Sequence, residues 1–214
     1  MNLISPCPLC SQVDCSFVAI NFKRTFFKCP TCDLVFVDPS QRLTEKEERT
    51  RYESHNNNVE DPRYQDFLRP LMEVICRNFP SGAKGLDFGA GPGPALAEML
   101  KKMNYEISLY DPFFWPGTKP LQTQYDFVLS SEAVEHFFNP RKEFQRLRSL
   151  LKPQGALFIM TLLHSSAEEL SQWYYLKDPT HVCAFSQETF YWIRKEFGFE
   201  RVEFHGPRII SLFS

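Results

Sequence analysis

The run GLDFGAGPGPALAEMLKKMNY, Gly85 to Tyr105, reads as a strand, a glycine-rich turn and a helix. Leu86 and Phe88 supply the apolar positions of the strand, and Ala95, Leu96, Met99, Leu100 and Met103 recur at helical spacing beyond the turn. Gly89, Gly91 and Gly93 carry no Cβ, so the backbone, with Ala90 among them, can turn sharply and come close to a ligand. The helix that follows points its positive end at the same place. Twenty residues beyond Gly91, Asp111 closes a second strand, Glu106 to Tyr110, and an acid there can accept hydrogen bonds from both hydroxyls of a ribose. The dinucleotide fingerprint G-x-G-x-x-G, started at Gly89, meets Pro94 where its third glycine belongs, which disfavours NAD and an NAD-dependent oxidoreductase.

Two further stretches extend the pattern: YDFVLSSEAVEHFFNP, Tyr125 to Pro140, and LLKPQGALFIM, Leu150 to Met160. Together with Asp87, Gly89, Gly91, Gly93 and Asp111, they make residues 85 to about 161 resemble the class I S-adenosylmethionine-dependent methyltransferases. That resemblance implies an α/β fold: a Rossmann-like, mostly parallel sheet with helices on both faces. It implies S-adenosylmethionine as cofactor, with Asp87, Gly89, Ala90, Gly91, Gly93 and Asp111 around it. One departure stands out. Only 13 residues, PFFWPGTKPLQTQ, separate Asp111 from Tyr125, and they hold three prolines and no acid, so the family's third strand is shortened or missing. Phe113, Phe114 or backbone groups are then the candidates to hold adenine.

Methyl transfer from a sulfonium is an in-line displacement, so alignment and exclusion of water come first and a base matters only for a protonated acceptor. The ends of parallel strands form the crevice of such a sheet, which puts Ser130, Ser131 and Glu132 on its floor, Glu132 as a polar cofactor contact. Glu135 and His136 are expected to open the next helix, with His136 divided between pocket and packing. The segment HSSAEELSQWYYLKDPTHVCAFS, from His164, falls where loops over the crevice belong, and the resemblance implies that it borders the acceptor. His181 is the first choice for a general base, because imidazole accepts a proton near neutral pH; the catalytic candidates are thus His181 and His136. Trp173, Tyr174 and Tyr175 suit either an acceptor wall or the core.

The first forty residues obey a different pattern. Cys7 and Cys10, then Cys29 and Cys32, form two C-x2-C pairs with 18 residues between them, the spacing of a zinc ribbon. Four thiolates leave no open position for water or substrate, so the metal is expected to be structural. The aromatic and β-branched run from Phe17 to Cys29 supplies a hairpin between the knuckles. So short a unit cannot build a core unaided, and metal binding supplies the missing stability. The whole arrangement resembles a bacterial branch of the family, and sugar C-methyltransferases also carry an N-terminal zinc domain. The other three cysteines, Cys15, Cys76 and Cys183, read as apolar fillers.

Residues 40 to 60 are polar and read as a linker with a helical piece at Thr44 to Tyr52, and His55 there is a candidate lid residue. Asp61 caps an amphipathic helix that begins at Pro62 and carries Tyr64, Phe67, Leu68, Leu71, Met72, Ile75 and Phe79 on one face, with a bend or restart expected at Pro70. After the fifth strand, Ser186 caps a helix that Gly198 ends, and two short strands turn at Gly206-Pro207. The domain reading is a ribbon over 1–40, linker and helix over 41–80, and a Rossmann-like domain over 81–214. With 24 Lys and Arg against 26 Asp and Glu, the net charge of −2 lacks the basic excess of a nucleic-acid binder. The longest apolar run, Ala156 to Leu163, is too short to span a bilayer, and the N-terminal MNLISPCPLCSQVDC lacks the form of a secretory leader. A cytoplasmic enzyme acting on a small-molecule acceptor is the expectation; the alternative is a nucleotide-sensing module whose ribbon binds a protein or nucleic acid. No heptad seam or repeat speaks to oligomeric state.

Overall fold

A computed structural model of the chain describes residues 5–54, 58–166 and 168–214. His55 lies outside the described residues. Two sheets organise the molecule. The first holds β1 (Ser16–Asn21), β2 (Arg24–Lys28), β3 (Val35–Val37) and, far later in the chain, β8 (Cys183–Ala184), in that order and antiparallel throughout. The β1–β2 hairpin turns at Phe22 and Lys23, both left-handed with φ 47° and 66°, the geometry whose twist matches the flanking strands.

The second sheet has six strands: β4 (Lys84–Phe88), β5 (Glu106–Tyr110), β6 (Tyr125–Ser131), β7 (Leu151–Met160), β9 (Arg201–His205) and β10 (Ile209–Phe213). Their order is β5-β4-β6-β7-β10-β9; the first four are parallel, and β10 runs antiparallel to both its neighbours. The Rossmann-like α/β reading is therefore correct. Among the described residues no strand lies beyond β5: the interval after Asp111 holds a single bridge, Asp111 to Trp115, and a 3-10 turn at Lys119–Gln122. Gly85 is dictated by packing, since a Cβ there would sit 2.4 Å from the Phe127 ring of the adjacent β6.

Among the described residues five α-helices complete the fold: α1 (Glu45–Glu53), α2 (Pro62–Asn78), α3 (Ala95–Lys102), α4 (Pro140–Ser149) and α5 (Gln187–Glu196). Thr44 and Glu47 form a reciprocal capping box on α1, and the Asp61 side chain accepts from the Arg63 amide at the start of α2. Helix α2 runs on through Pro70 without a restart, burying Leu68, Leu71, Val74 and Ile75, while Phe67 is 38% exposed and off the buried face. Glu135 and His136 do not open a helix. They occupy a single 3-10 turn, Val134–His136, because Asn139 caps α4 through the Lys142 amide and Pro140 takes the first helical position. Among the described residues no helix is long and apolar enough to cross a membrane.

Candidate functional site

The chain steps from β4 to β5 on one side and returns to β6 on the other, so β4 marks the point where strand order reverses and a crevice opens at the strand ends. A cleft of about 620 Å³ lies there, lined by Phe88 to Pro92 after β4, Tyr110 to Phe114 after β5, and Ser131 to Ala133 after β6. Gly89 has φ 84° and its backbone amide donates to the Tyr110 carbonyl at 2.8 Å; a Cβ there would lie 2.6 Å from that of Ala133. Gly91 is also left-handed, with φ 61°.

Asp111 locks this turn to the second strand. One carboxylate oxygen accepts from the Gly91 amide at 3.0 Å; the other accepts from the amides of Phe113 at 2.8 Å and Phe114 at 3.1 Å. The Trp115 indole donates to the Gly91 carbonyl at 2.8 Å, closing the loop. Asp87 and Gly93 do not line the cleft. Asp87 is 2% exposed beneath the turn, with Oδ1 unpartnered, and burial first, then the charge of Asp111, raises its pKa to about 7. Gly93 accepts the Ala95 amide at the foot of α3.

Helix α1 contributes Glu48 and Tyr52 to the lining. The Tyr52 ring packs 5.5 Å from Phe113 and edge-on 5.3 Å from His136, and its hydroxyl donates to Glu48. Arg51 reaches the other way, donating to Asp178 through Nε at 3.0 Å and Nη2 at 2.7 Å.

A second space, a groove of about 670 Å³, adjoins the cleft and shares Glu132 and His181 with it. Tyr175 forms its inner wall, with its ring 4.3 Å from that of His181 and its hydroxyl donating to Glu135 in a short hydrogen bond. Tyr174, 63% exposed, accepts from Arg208, which also pairs with Glu132 at 3.2 Å. Glu132 is left-handed, φ 47°, its amide tied to the Met160 carbonyl. Burial, then Glu135, pushes the Glu132 carboxyl up to about 8, whereas burial, then His136, pulls His181 down to about 3. At neutral pH His181 is thus a neutral imidazole of low basicity, and Glu132 lies nearer the range in which a general base works. Sequence reasoning missed Tyr52, Arg208 and the Glu135 carboxylate; the visible signal was the i, i+3 pair of carboxylates in E-A-V-E-H.

The cysteine pairs converge as expected from their spacing. All four Sγ atoms lie within 4.8 Å of one another, with Cys7 to Cys32 at 3.5 Å and Cys10 to Cys29 at 3.3 Å. A tetrahedral zinc with ~2.3 Å bonds holds its sulfurs about 3.8 Å apart, so the set fits that ion. The two knuckles repeat one backbone geometry. Cys7 N donates to Gln12 O and Ser11 N to Cys7 O; Cys29 N donates to Leu34 O and Asp33 N to Cys29 O. Ser11 and Asp33 are both left-handed.

From the β2 end of the hairpin, the Arg24 guanidinium donates to four carbonyls of one loop: Leu176, Asp178, Pro179 and His181. The ribbon thereby grips the segment that carries His181.

A mostly parallel sheet with a glycine turn, a second-strand acid and a cleft at the reversal point defines a Rossmann-like class. Within it, the chain belongs to the methyltransferase-domain family, whose model matches residues 61–203. Solved structures of similar fold include an O-methyltransferase family protein from Burkholderia thailandensis (14% identity, TM-score 0.54, 78% of this chain and 62% of that one). The 1,6-didemethyltoxoflavin-N1-methyltransferase of the same organism, solved with its named ligand and S-adenosylhomocysteine, is 13% identical with TM-score 0.54 over 92% and 97% of the two chains. A methyltransferase from Archaeoglobus fulgidus is 19% identical with TM-score 0.53 over 70% and 94%. The chain thus spans less than two thirds of the first of these proteins. No curated protein matches the chain.

Proposed function

We propose that the protein transfers a methyl group from S-adenosylmethionine to a small-molecule acceptor. The observation that carries this reading is the Asp111 carboxylate bridging the Gly91 turn to Phe113 and Phe114 at the mouth of the cleft. A carboxylate has about four lone-pair positions, and three are engaged, which leaves capacity for a ribose hydroxyl. In this reading Gly89, Ala90 and Gly91 give the cofactor a close backbone approach, Phe113 and Phe114 offer aromatic faces to adenine, and Glu132 faces the polar end. Asp87 lies buried behind the turn, and Gly93 accepts the Ala95 amide where the turn enters α3. The cofactor supplies an electrophilic methyl; the chain's part is to align donor and acceptor and to exclude water, with α1 over the cleft. His181 and His136 border the acceptor, and a neutral His181 orients it.

The ribbon cysteines Cys7, Cys10, Cys29 and Cys32 would hold a structural zinc, a set of thiolates suited to the reducing cytoplasm. The balanced charge favours a small molecule over nucleic acid as the partner.

Calorimetric titration with S-adenosylmethionine, S-adenosylhomocysteine and NADH tests the reading. Binding of both adenosyl sulfur compounds but not NADH is expected, weakened about tenfold to a hundredfold in Asp111→Asn, the range set by one hydrogen bond to a charged group. NADH binding at the same site, or no adenosyl ligand bound by folded protein, overturns it.

A further inference from the structure

We propose that Glu135, His136 and His181 hold a divalent transition-metal ion between the cleft and the groove, separate from the ribbon. Among the described residues two clusters of potential ligands exist, the four cysteines and this one, whose ligand atoms also lie within 4.8 Å of one another. Each imidazole is oriented as a metal ligand usually is. His136 Nδ1 meets the Thr180 carbonyl at 3.0 Å, and His181 Nδ1 meets the Tyr175 carbonyl at 2.6 Å. A carbonyl can only accept, so each Nδ1 carries the proton and each Nε2 the lone pair. Glu135 is 0% exposed; one oxygen accepts from Tyr175, while Oε2 is buried with no hydrogen-bond partner, an orphan a cation would satisfy. Two imidazoles and one carboxylate form the facial set that binds first-row divalent ions with positions left open. Facial ligands at ~2.1 Å from an ion lie about 3.0 Å apart, so side chains whose ligand atoms lie within 4.8 Å of one another draw together by at most about 1.8 Å on binding.

The surroundings tolerate the charge. Arg208 is paired with Glu132, and Arg24 faces the His181 carbonyl, not its ring. Because His181 lines both spaces, the open positions face an acceptor in the groove and a donor in the cleft. The role, though not the occurrence, of the ion rests on the methyl-transfer reading: it selects an acceptor with adjacent oxygen ligands, such as a vicinal diol or hydroxy acid. Coordination releases the hydroxyl proton to water in the groove. The acceptor oxygen then forms a bond to the methyl carbon, the sulfur–methyl bond breaks, and its electron pair stays on sulfur as a thioether.

The test uses the full chain with its ribbon loaded with zinc, which thiolates retain against Mn²⁺. Titration with Mn²⁺, followed by electron paramagnetic resonance, should show one ion bound per chain, nitrogen hyperfine couplings from two imidazoles, and at least tenfold weaker binding in Glu135→Gln and in His181→Ala. Absence of binding at millimolar Mn²⁺, or bound Mn²⁺ without nitrogen coupling in the unaltered protein, overturns the inference whether or not the variants fold. S-adenosylhomocysteine titrated into the same samples separates the two readings: its failure to bind removes the donor and leaves the metal result standing.

Discussion

At the scale of single residues, the cleft is built from positions that tolerate almost nothing else. Gly89 combines φ 84° with a Cβ position only 2.6 Å from Ala133. Gly89→Ala should therefore cost about 2–3 kcal/mol of stability and reduce S-adenosylhomocysteine affinity at least tenfold, read by urea melts and calorimetry. Asp87 carries the opposite kind of tension. Its carboxyl ionises near 3.8 in an unfolded chain and near 7 when buried. Below the first value both states are protonated and nothing is lost; between the two, the unfolded state releases a proton that the folded state retains, so stability falls as pH rises. The penalty is complete above about pH 7. Asp87→Asn should leave the ligand-free protein unchanged at pH 4 and stabilise it by roughly 3 kcal/mol at pH 8, as thermal melts at the two pH values would show. A melt that shifts equally at both would show that Asp87 is not buried with a raised pKa.

At the scale of elements, the loop from Leu176 to His181 has little secondary structure of its own, and Arg24 substitutes for it by satisfying four carbonyls at once. Arg24→Ala should cost about 3 kcal/mol and speed amide exchange and proteolysis in that loop. Arg24→Lys, with a single ammonium, should recover only part of this. S-adenosylhomocysteine affinity should hold within threefold in both, because Arg24 bonds only carbonyls of that loop and no group of the glycine turn or Asp111. Elements set by local pattern were legible beforehand: β5 occupies Glu106–Tyr110 as the apolar run marks it, the helical piece expected at Thr44 to Tyr52 forms as Glu45–Glu53, Ser186 caps where capping chemistry places it, and the strand lost after Asp111 is announced by its prolines. The 3-10 turn at Glu135 and the unbroken α2 were not, because a downstream cap at Asn139 in one case and tertiary packing in the other outweighed local propensity. The site was legible only in part for a related reason. The glycine turn and its acid are contiguous signals, while Arg24, Tyr52 and Arg208 reach it from distant segments, and no periodicity records that.

At the scale of the whole molecule, the ribbon and the larger sheet are joined by backbone as well as by side chains. β3 pairs with β8, Val37 N donates to Val182 O, and Asn21 donates to the carbonyls of Leu170 and Trp173. Calorimetry of the zinc-loaded protein should accordingly give one cooperative transition in which enthalpy and van't Hoff values agree. Chelation of the metal should lower the midpoint of that single transition by about 10 °C, since each kcal/mol is worth 2–4 °C in a chain of this size. Two separate transitions would mean that the ribbon melts alone. The same pairing bears on synthesis. Val35, Phe36 and Val37 are all buried, and the strand that covers their edge, Cys183–Ala184, lies 149 positions later, Val35 opposite Ala184. A nascent chain emerging from the ribosome therefore displays an uncovered apolar edge until most of its length has been translated, the kind of edge that invites pairing with other chains. A ribosome stalled before Cys183 would leave that edge exposed, which makes it a target for chaperone capture during translation.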